Sequence, residues 1–219
     1  MDYAALEHFG EPKMLRIWGR ISSINVRKVV LTAQLLELPF ERIDAGAAFG
    51  VTKTPTYLAL NPNALVPTLD DNGFVLWESN VIVRYLCARQ PHAGLYPIEL
   101  QARFDAERWM DWQQTTLNHA GRDAFVQLIR TPAAERLPQV VAASQAATKP
   151  LLDLLDAHLA GQPYVAGPHL TMADLPIACE MHRWWGLPLQ HDEHAHLRRW
   201  YAQLASLPAA RGVLDVALC

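Results

Sequence analysis

The sequence predicts a βαβ–ββα half followed by an all-helical half, on three observations. Strand-like runs and the one hairpin signal all fall in the first ninety or so residues, which places a small sheet there. Beyond that point apolar residues recur only at helical spacing. Between the two lies QPHAGLYP, a segment with two prolines, a glycine and no acidic or basic residue other than histidine. The chain thus divides into an extension over 1–13, an α/β half over 14–89, a linker over 90–98 and a helical half over 99–219. With 219 residues, 51% of them hydrophobic, the chain can bury a real core without metal or disulfide staples.

MLRIWGR (14–20) alternates and stops at Gly19, as a short buried strand does before a turn. A helix follows, with Val26, Val29, Val30 and Ala33 on one face, Ser22, Ser23 and Asn25 at its start and Pro39 beyond its end. PFERIDA (39–45) gives a second strand and completes a βαβ unit. Residues 45–57 read as an irregular or weakly helical connection. LVPTLDDNGFVLWES is a hairpin that turns at Asp71-Asn72-Gly73. SNVIVRYLCAR is a helix with Val81, Ile82 and Tyr85 on one side. Helical periodicity then runs over 99–120, 137–160, 171–186 and 194–206.

A net charge of −3 and the absence of any basic run leave no footprint for nucleic acid. The three cysteines (Cys87, Cys179 and Cys219) form no CxxC and no metal-ligand spacing, which fits a reducing compartment. MDYAALEHFGEPKML lacks the apolar stretch of a signal peptide, and no run is long enough to span a bilayer. No prenylation box follows the terminal DVALC, so the expectation is a cytoplasmic protein without a membrane partner.

Four motifs taken together carry more than any one of them: GRISSINVRKV, LNPNALVPTL, the Trp77-Glu78-Ser79 step into a helix, and YVAGPHLTMADL. In this order and spacing the chain resembles the soluble glutathione transferases, in particular bacterial members with a Ser/Asn-type active site, from about Met14 onward. The resemblance implies a thioredoxin-like, glutathione-binding first half and a transferase activity. Glutathione would be a co-substrate rather than a tightly bound cofactor. The other partner would be a small electrophile or peroxide, and the chain would form a homodimer.

The resemblance also assigns residues. Pro67 is a demerit inside a strand, but in the family it follows a cis bond that turns the Leu65–Val66 backbone toward the cysteinyl part of glutathione. Glu78 and Ser79 mark a helix start; by residue type Ser79 is an N-cap. In the family the same pair receives the γ-glutamyl end, Ser79 its carboxylate and Glu78 its ammonium. Ser23 is the expected hydroxyl donor to the glutathione sulfur and Asn25 the amide partner, with Ser22 an alternative to Ser23. No cysteine stands in this stretch, which argues against a mixed disulfide on the protein. Many relatives carry a long polar residue before the Val-Pro pair, where this chain has Leu65. The glycyl carboxylate then needs another donor, for which Lys53 and Thr52 are the candidates. Asp111, Thr115, Asn118 and His119 fall at i, i+4, i+7 and i+8, a polar stripe where relatives place acceptor or cross-interface contacts.

Thr171-Met172-Ala173-Asp174 has capping-box form and reads as a folding element. The His191-to-His196 cluster reads as a solvated helix start rather than a metal site, so no metal is expected. Trp109, Trp112, Trp184 and Trp185 read as core packing. Within the family a peroxidase or disulfide reductase is the sibling activity; a non-catalytic protein that keeps the fold is the alternative of another class.

Overall fold

The computed structural model describes residues 14–219; the extension expected over residues 1–13 lies outside the described residues. Strands β1 (Leu15–Trp18), β2 (Phe40–Ile43), β3 (Thr68–Asp71) and β4 (Phe74–Trp77) form one mixed sheet in the order β2-β1-β3-β4. β1 runs parallel to β2, with Leu15 opposite Phe40, and antiparallel to β3, with Ile17 opposite Leu69. Leu15 and Ile17 are buried while Arg16 between them is exposed and pairs across the sheet with Asp70 at 3.7 Å. The period-2 pattern therefore decides which face of β1 meets the core. β3 and β4 close through Asn72-Gly73, both at positive φ (57° and 92°), the backbone that a two-residue hairpin turn needs.

Helix α1 (Ile24–Leu35) buries Val26, Val29, Val30 and Ala33 as its spacing predicts. The connection after β2 is more ordered than the sequence reading allowed. It holds a 3-10 turn at Ala47–Phe49 and helix α2 (Pro55–Leu60), whose first turn is capped by the Thr54 hydroxyl accepting from the Tyr57 amide at 3.3 Å. Helix α3 (Ser79–Arg89) corrects one assignment. Ile82, Val83 and Leu86 are fully buried, whereas Val81 is 42% exposed and belongs to the opposite face.

The helical half continues with α4 (Leu100–Trp112), α5 (Asn118–Phe125), α6 (Pro138–Leu159), α7 (Asp174–Trp185) and α8 (Ala195–Ala205). α4 and α5 are parts of one rod that runs past the expected end near residue 120. Two π turns, Gln113–Leu117 and Val126–Arg130, carry it to Arg130. Each π turn adds a residue and rotates the faces that follow it. Trp109 and Trp184 pack in the core, as their type suggests. In the histidine-rich stretch, Asp192 pairs with Lys149 at 2.7 Å and His194 with Asp153 at 2.9 Å. Among the described residues no three His, Cys, Asp or Glu side chains are grouped to hold a metal ion, and no helix is long and apolar enough to cross a membrane.

A buried polar network joins the two halves. Lys28 on α1 donates to Asn80 at 3.1 Å, Gln113 at 2.8 Å and Gln114 at 2.9 Å, so each ammonium hydrogen has an acceptor. Gln113 passes the chain on to Glu180 at 2.9 Å, and Glu180 pairs with Arg183. Burial, only partly offset by Glu180, pulls Lys28 from its ordinary 10.5 down to about 8. Between those two values the unfolded chain binds more protons than the folded one, so this residue's contribution to stability rises with pH across that window. The expected result is that the stability gap between wild type and Lys28→Met shifts in favour of wild type, by up to about 1.4 kcal/mol per pH unit above about pH 8. Urea titrations at several pH values check it; a gap that stays flat would show that Lys28 titrates normally.

Candidate functional site

Two adjoining cavities open beside the start of α1 and the Leu65-Val66 segment, and the larger is also walled by the helical half. The larger, about 450 Å³, lies beside Ser23, Asn25, Thr52, Val66, Asn118 and Phe125. The smaller, about 50 Å³, lies between Asn25, Val66, Trp77, Glu78 and Ser79. Asn25, Leu65 and Val66 stand on the walls of both, so one elongated ligand can occupy the pair.

The local folding of α1 explains the first end. Ser23 sits at the N-cap position and is buried, yet its hydroxyl makes no capping bond. The amides of the first turn have no intrahelical acceptor, and the helix dipole adds partial positive charge there. Ser23 thus presents a spare donor at a site that favours an anion. Ser22 is half-buried and lines neither cavity, which separates it from Ser23. Asn25 accepts from the Ser79 hydroxyl at 3.3 Å and so links the starts of α1 and α3.

At the second end Ser79 is the first residue of α3, one place inside the cap position that residue type suggested. The cap is Glu78, a non-glycine residue at φ 72° with an exposed side chain. That left-handed backbone is costly for a non-glycine residue and is typical of sites that position a side chain. Between the two ends the Val66-Pro67 bond is cis. The Leu65 carbonyl is held inward by the Tyr57 hydroxyl at 2.6 Å and the Asn61 amide at 3.0 Å. The Val66 amide and carbonyl make no bond to other described backbone, leaving this residue free to pair with a peptide-like ligand.

The comparisons with known proteins agree in one direction. Residues 22–89 match the family described as glutathione S-transferase, N-terminal domain, and residues 138–203 match its C-terminal domain. Glutathione S-transferase GstB of Escherichia coli K12 is 41% identical over 205 residues, covering 93% of this chain and 99% of that protein. The chain belongs to the glutathione S-transferase family. A crystal structure of a theta class glutathione S-transferase from Xanthomonas axonopodis pv. citri, with glutathione bound, superposes with a TM-score of 0.90 at 43% identity, covering 94% of this chain and 99% of that one. Human glutathione S-transferase theta-1 is 32% identical over 172 residues, covering 76% of this chain and 72% of its own length. The reaction class is glutathione transfer, with glutathione as co-substrate.

Within this transferase the expected residues distribute unevenly. Ser23, Asn25, Leu65, Val66, Glu78, Ser79 and Thr52 all line one or both cavities. Lys53 is exposed and lines neither. Of the acceptor stripe, only Asn118 reaches the larger cavity. Asp111 is paired with Arg84 at 2.5 Å, Thr115 donates to the Asp111 carbonyl at 2.9 Å, and the His119 ring lies against the Thr115 carbonyl at 2.8 Å. The π turn between α4 and α5 breaks the regular period that would have aligned the four. The cleft also holds four arginines, Arg20, Arg122, Arg130 and Arg183, none of which the residue pattern marked. Their one sequence signal is that Arg20 directly follows the glycine ending β1. None of the three cysteines lines the site; burial pushes Cys87 and Cys179 up to about 12.

Proposed function

We propose that this transferase activates the glutathione thiol with Ser23 and Asn25 at the start of α1 and delivers it to a small electrophile in the larger cavity. The observation that carries the reading is the uncapped, buried Ser23 hydroxyl, with Asn25 bridging toward Ser79. Glutathione then spans the two cavities. Its γ-glutamyl carboxylate lies on the free amides of α3 beside Ser79 and its ammonium near Glu78. Its cysteinyl backbone pairs with Val66. Thr52 and Arg20, both on the wall of the larger cavity, would supply donors to its glycyl carboxylate; the Arg20 guanidinium lies so close over Gly46 that a β-carbon there would come within 2.8 Å of it. Thiolate is the nucleophile, and lowering the free thiol pKa of about 8.5 by about 2 units takes roughly 2.7 kcal/mol of preferential stabilisation. A hydroxyl, an amide and a helix N-terminus together supply contributions of that order.

The test is glutathione affinity. Glu78→Ala and Ser79→Ala are each expected to weaken binding by about tenfold or more, the loss of one charge-assisted bond, while the thiol pKa of bound glutathione stays low. Calorimetric titration of wild type and both variants measures it. Unchanged affinity in both would remove the γ-glutamyl end from this position.

Assembly into a homodimer is part of the same reading. Phe74, Trp77, Val81, Leu100 and Phe104 are exposed large apolar residues on β4, α3 and α4, surface that a second copy would cover. Light scattering is expected to give twice 24.5 kDa, and a single-chain mass at micromolar concentration would contradict it. A cytoplasmic, detoxifying role accords with thiols kept reduced and a substrate supplied by the cell's own glutathione pool.

A further inference from the structure

The larger cavity is strongly cationic although the whole chain carries a net charge of −3. Four arginines line it and, among the described residues, no aspartate or glutamate does. Arg183 is already committed: it pairs with Glu180 and donates to the Asn118 carbonyl at 3.3 Å. Among the described residues Arg122 pairs only with Asp123, at 3.6 Å, an exposed pair that contributes little. Arg20 and Arg130 make no ion pair with any described carboxylate side chain. Arg130 and Arg183 lie over the Phe125 ring at 4.7 and 5.5 Å from its centroid, so charge and an aromatic face converge on one wall. Burial, with Arg20, Arg183 and Arg122 nearby, holds Arg130 below its ordinary value, against a weaker opposite pull from the C-terminal Cys219. Like charges gathered without a counter-ion repel one another, and the repulsion is relieved when an anion binds among them.

Glutathione accounts for part of this. Its glycyl carboxylate occupies one cation, and Arg20 on the α/β wall is placed for it. Arg122 and Arg130 remain, on the opposite, helical wall beside Phe125, where the acceptor must sit. The geometry points to an acceptor that carries its own oxyanion: a small electrophile with an aromatic or apolar body against Phe125 and a carboxylate or similar group between Arg122 and Arg130. This assignment rests on the transferase reading of the cleft and narrows it to a substrate class.

A matched pair of aryl halides tests it. With 4-chloro-3-nitrobenzoate the glutathione sulfur bonds to the ring carbon, the carbon–chlorine bond breaks, chloride leaves with the bonding pair and the thiol proton passes to water. The neutral partner is 4-chloro-3-nitrobenzamide, and each kcat/KM is divided by the rate of its uncatalysed reaction. The benzoate is expected to be preferred by about tenfold or more at low salt, with the preference falling as salt rises. In Arg122→Gln, Arg130→Gln and the double variant that ratio should fall toward one. Binding of S-(4-carboxybenzyl)glutathione against S-benzylglutathione gives the same comparison without turnover. If S-benzylglutathione and its carboxylate bind equally, or the preference survives in the double variant, the anionic class is wrong while the transferase reading stands. If wild type binds neither, both fall.

Discussion

Asp174→Ala is expected to lower stability by about 3–5 kcal/mol, since it strands several buried donors at once and each costs about 1–3 kcal/mol. Asp174 is fully buried. Its carboxylate accepts from the Val165 amide at 2.9 Å, the Thr171 amide at 2.9 Å and the Trp200 indole at 2.8 Å. The Thr171 hydroxyl accepts in turn from the Ala173 amide at 3.3 Å, so the Thr171-to-Asp174 box ties down the turn just ahead of α7 rather than forming a full capping box on it. Through Trp200 and Val165 the same carboxylate also ties α8 and the loop before α7 to the core. Burial raises the carboxyl above its ordinary range while the hydrogen bonds from Val165, Thr171 and Trp200 pull it down. The fall in melting temperature should be about 10 °C, from roughly 2–4 °C per kcal/mol in a chain of this size. Thermal melting followed by circular dichroism checks this, alongside turnover per folded molecule. An unchanged melting temperature with lost activity would move Asp174 from the core to the chemistry.

What was legible in the sequence follows physical scale. Elements with strong periodicity, such as α1 with Val26, Val29, Val30 and Ala33, could be placed because burial of one stripe decides them. The Asn72-Gly73 turn was legible because few residue pairs tolerate two positive φ values in succession. Helix α2 was not, because six residues capped by a single threonine leave too short a pattern. Val81 misled because three branched apolar residues in a row fit either face of a helix; the packing of Ile82 and Leu86 decides between them. Local motifs marked Ser23, Asn25, Glu78 and Ser79, which line the two cavities, because they stand next to helix starts. The arginine-lined part of the cleft was opaque. It is built from Arg20 of one half facing Arg122, Arg130 and Arg183 of the other, residues far apart in sequence that the fold brings to one cleft. The π turn at Gln113–Leu117 added to the difficulty by breaking the period between Asp111 and Asn118.

Ser23→Ala is expected to cut kcat/KM by about ten- to a hundredfold, the equivalent of losing one hydrogen bond to a charged sulfur, about 1.5–3 kcal/mol. The Ser23 hydroxyl is free of a capping role, so its removal should not unravel α1. Glutathione affinity should change little, because the γ-glutamyl end and the Val66 backbone are untouched. Asn25→Ala divides the work, since Asn25 touches the Ser79 hydroxyl as well as the cleft. It should lower the rate and also weaken affinity modestly, a combination that Ser23→Ala should not show.

The most direct measurement is the thiolate absorbance of glutathione bound to the wild-type protein, followed as pH is raised. Thiol activation at the start of α1 predicts an apparent pKa about 2 units below the free thiol value of about 8.5, moving back up in both Ser23→Ala and Asn25→Ala. Bound glutathione that titrates like the free thiol, or a lowered pKa that neither substitution changes, would contradict it.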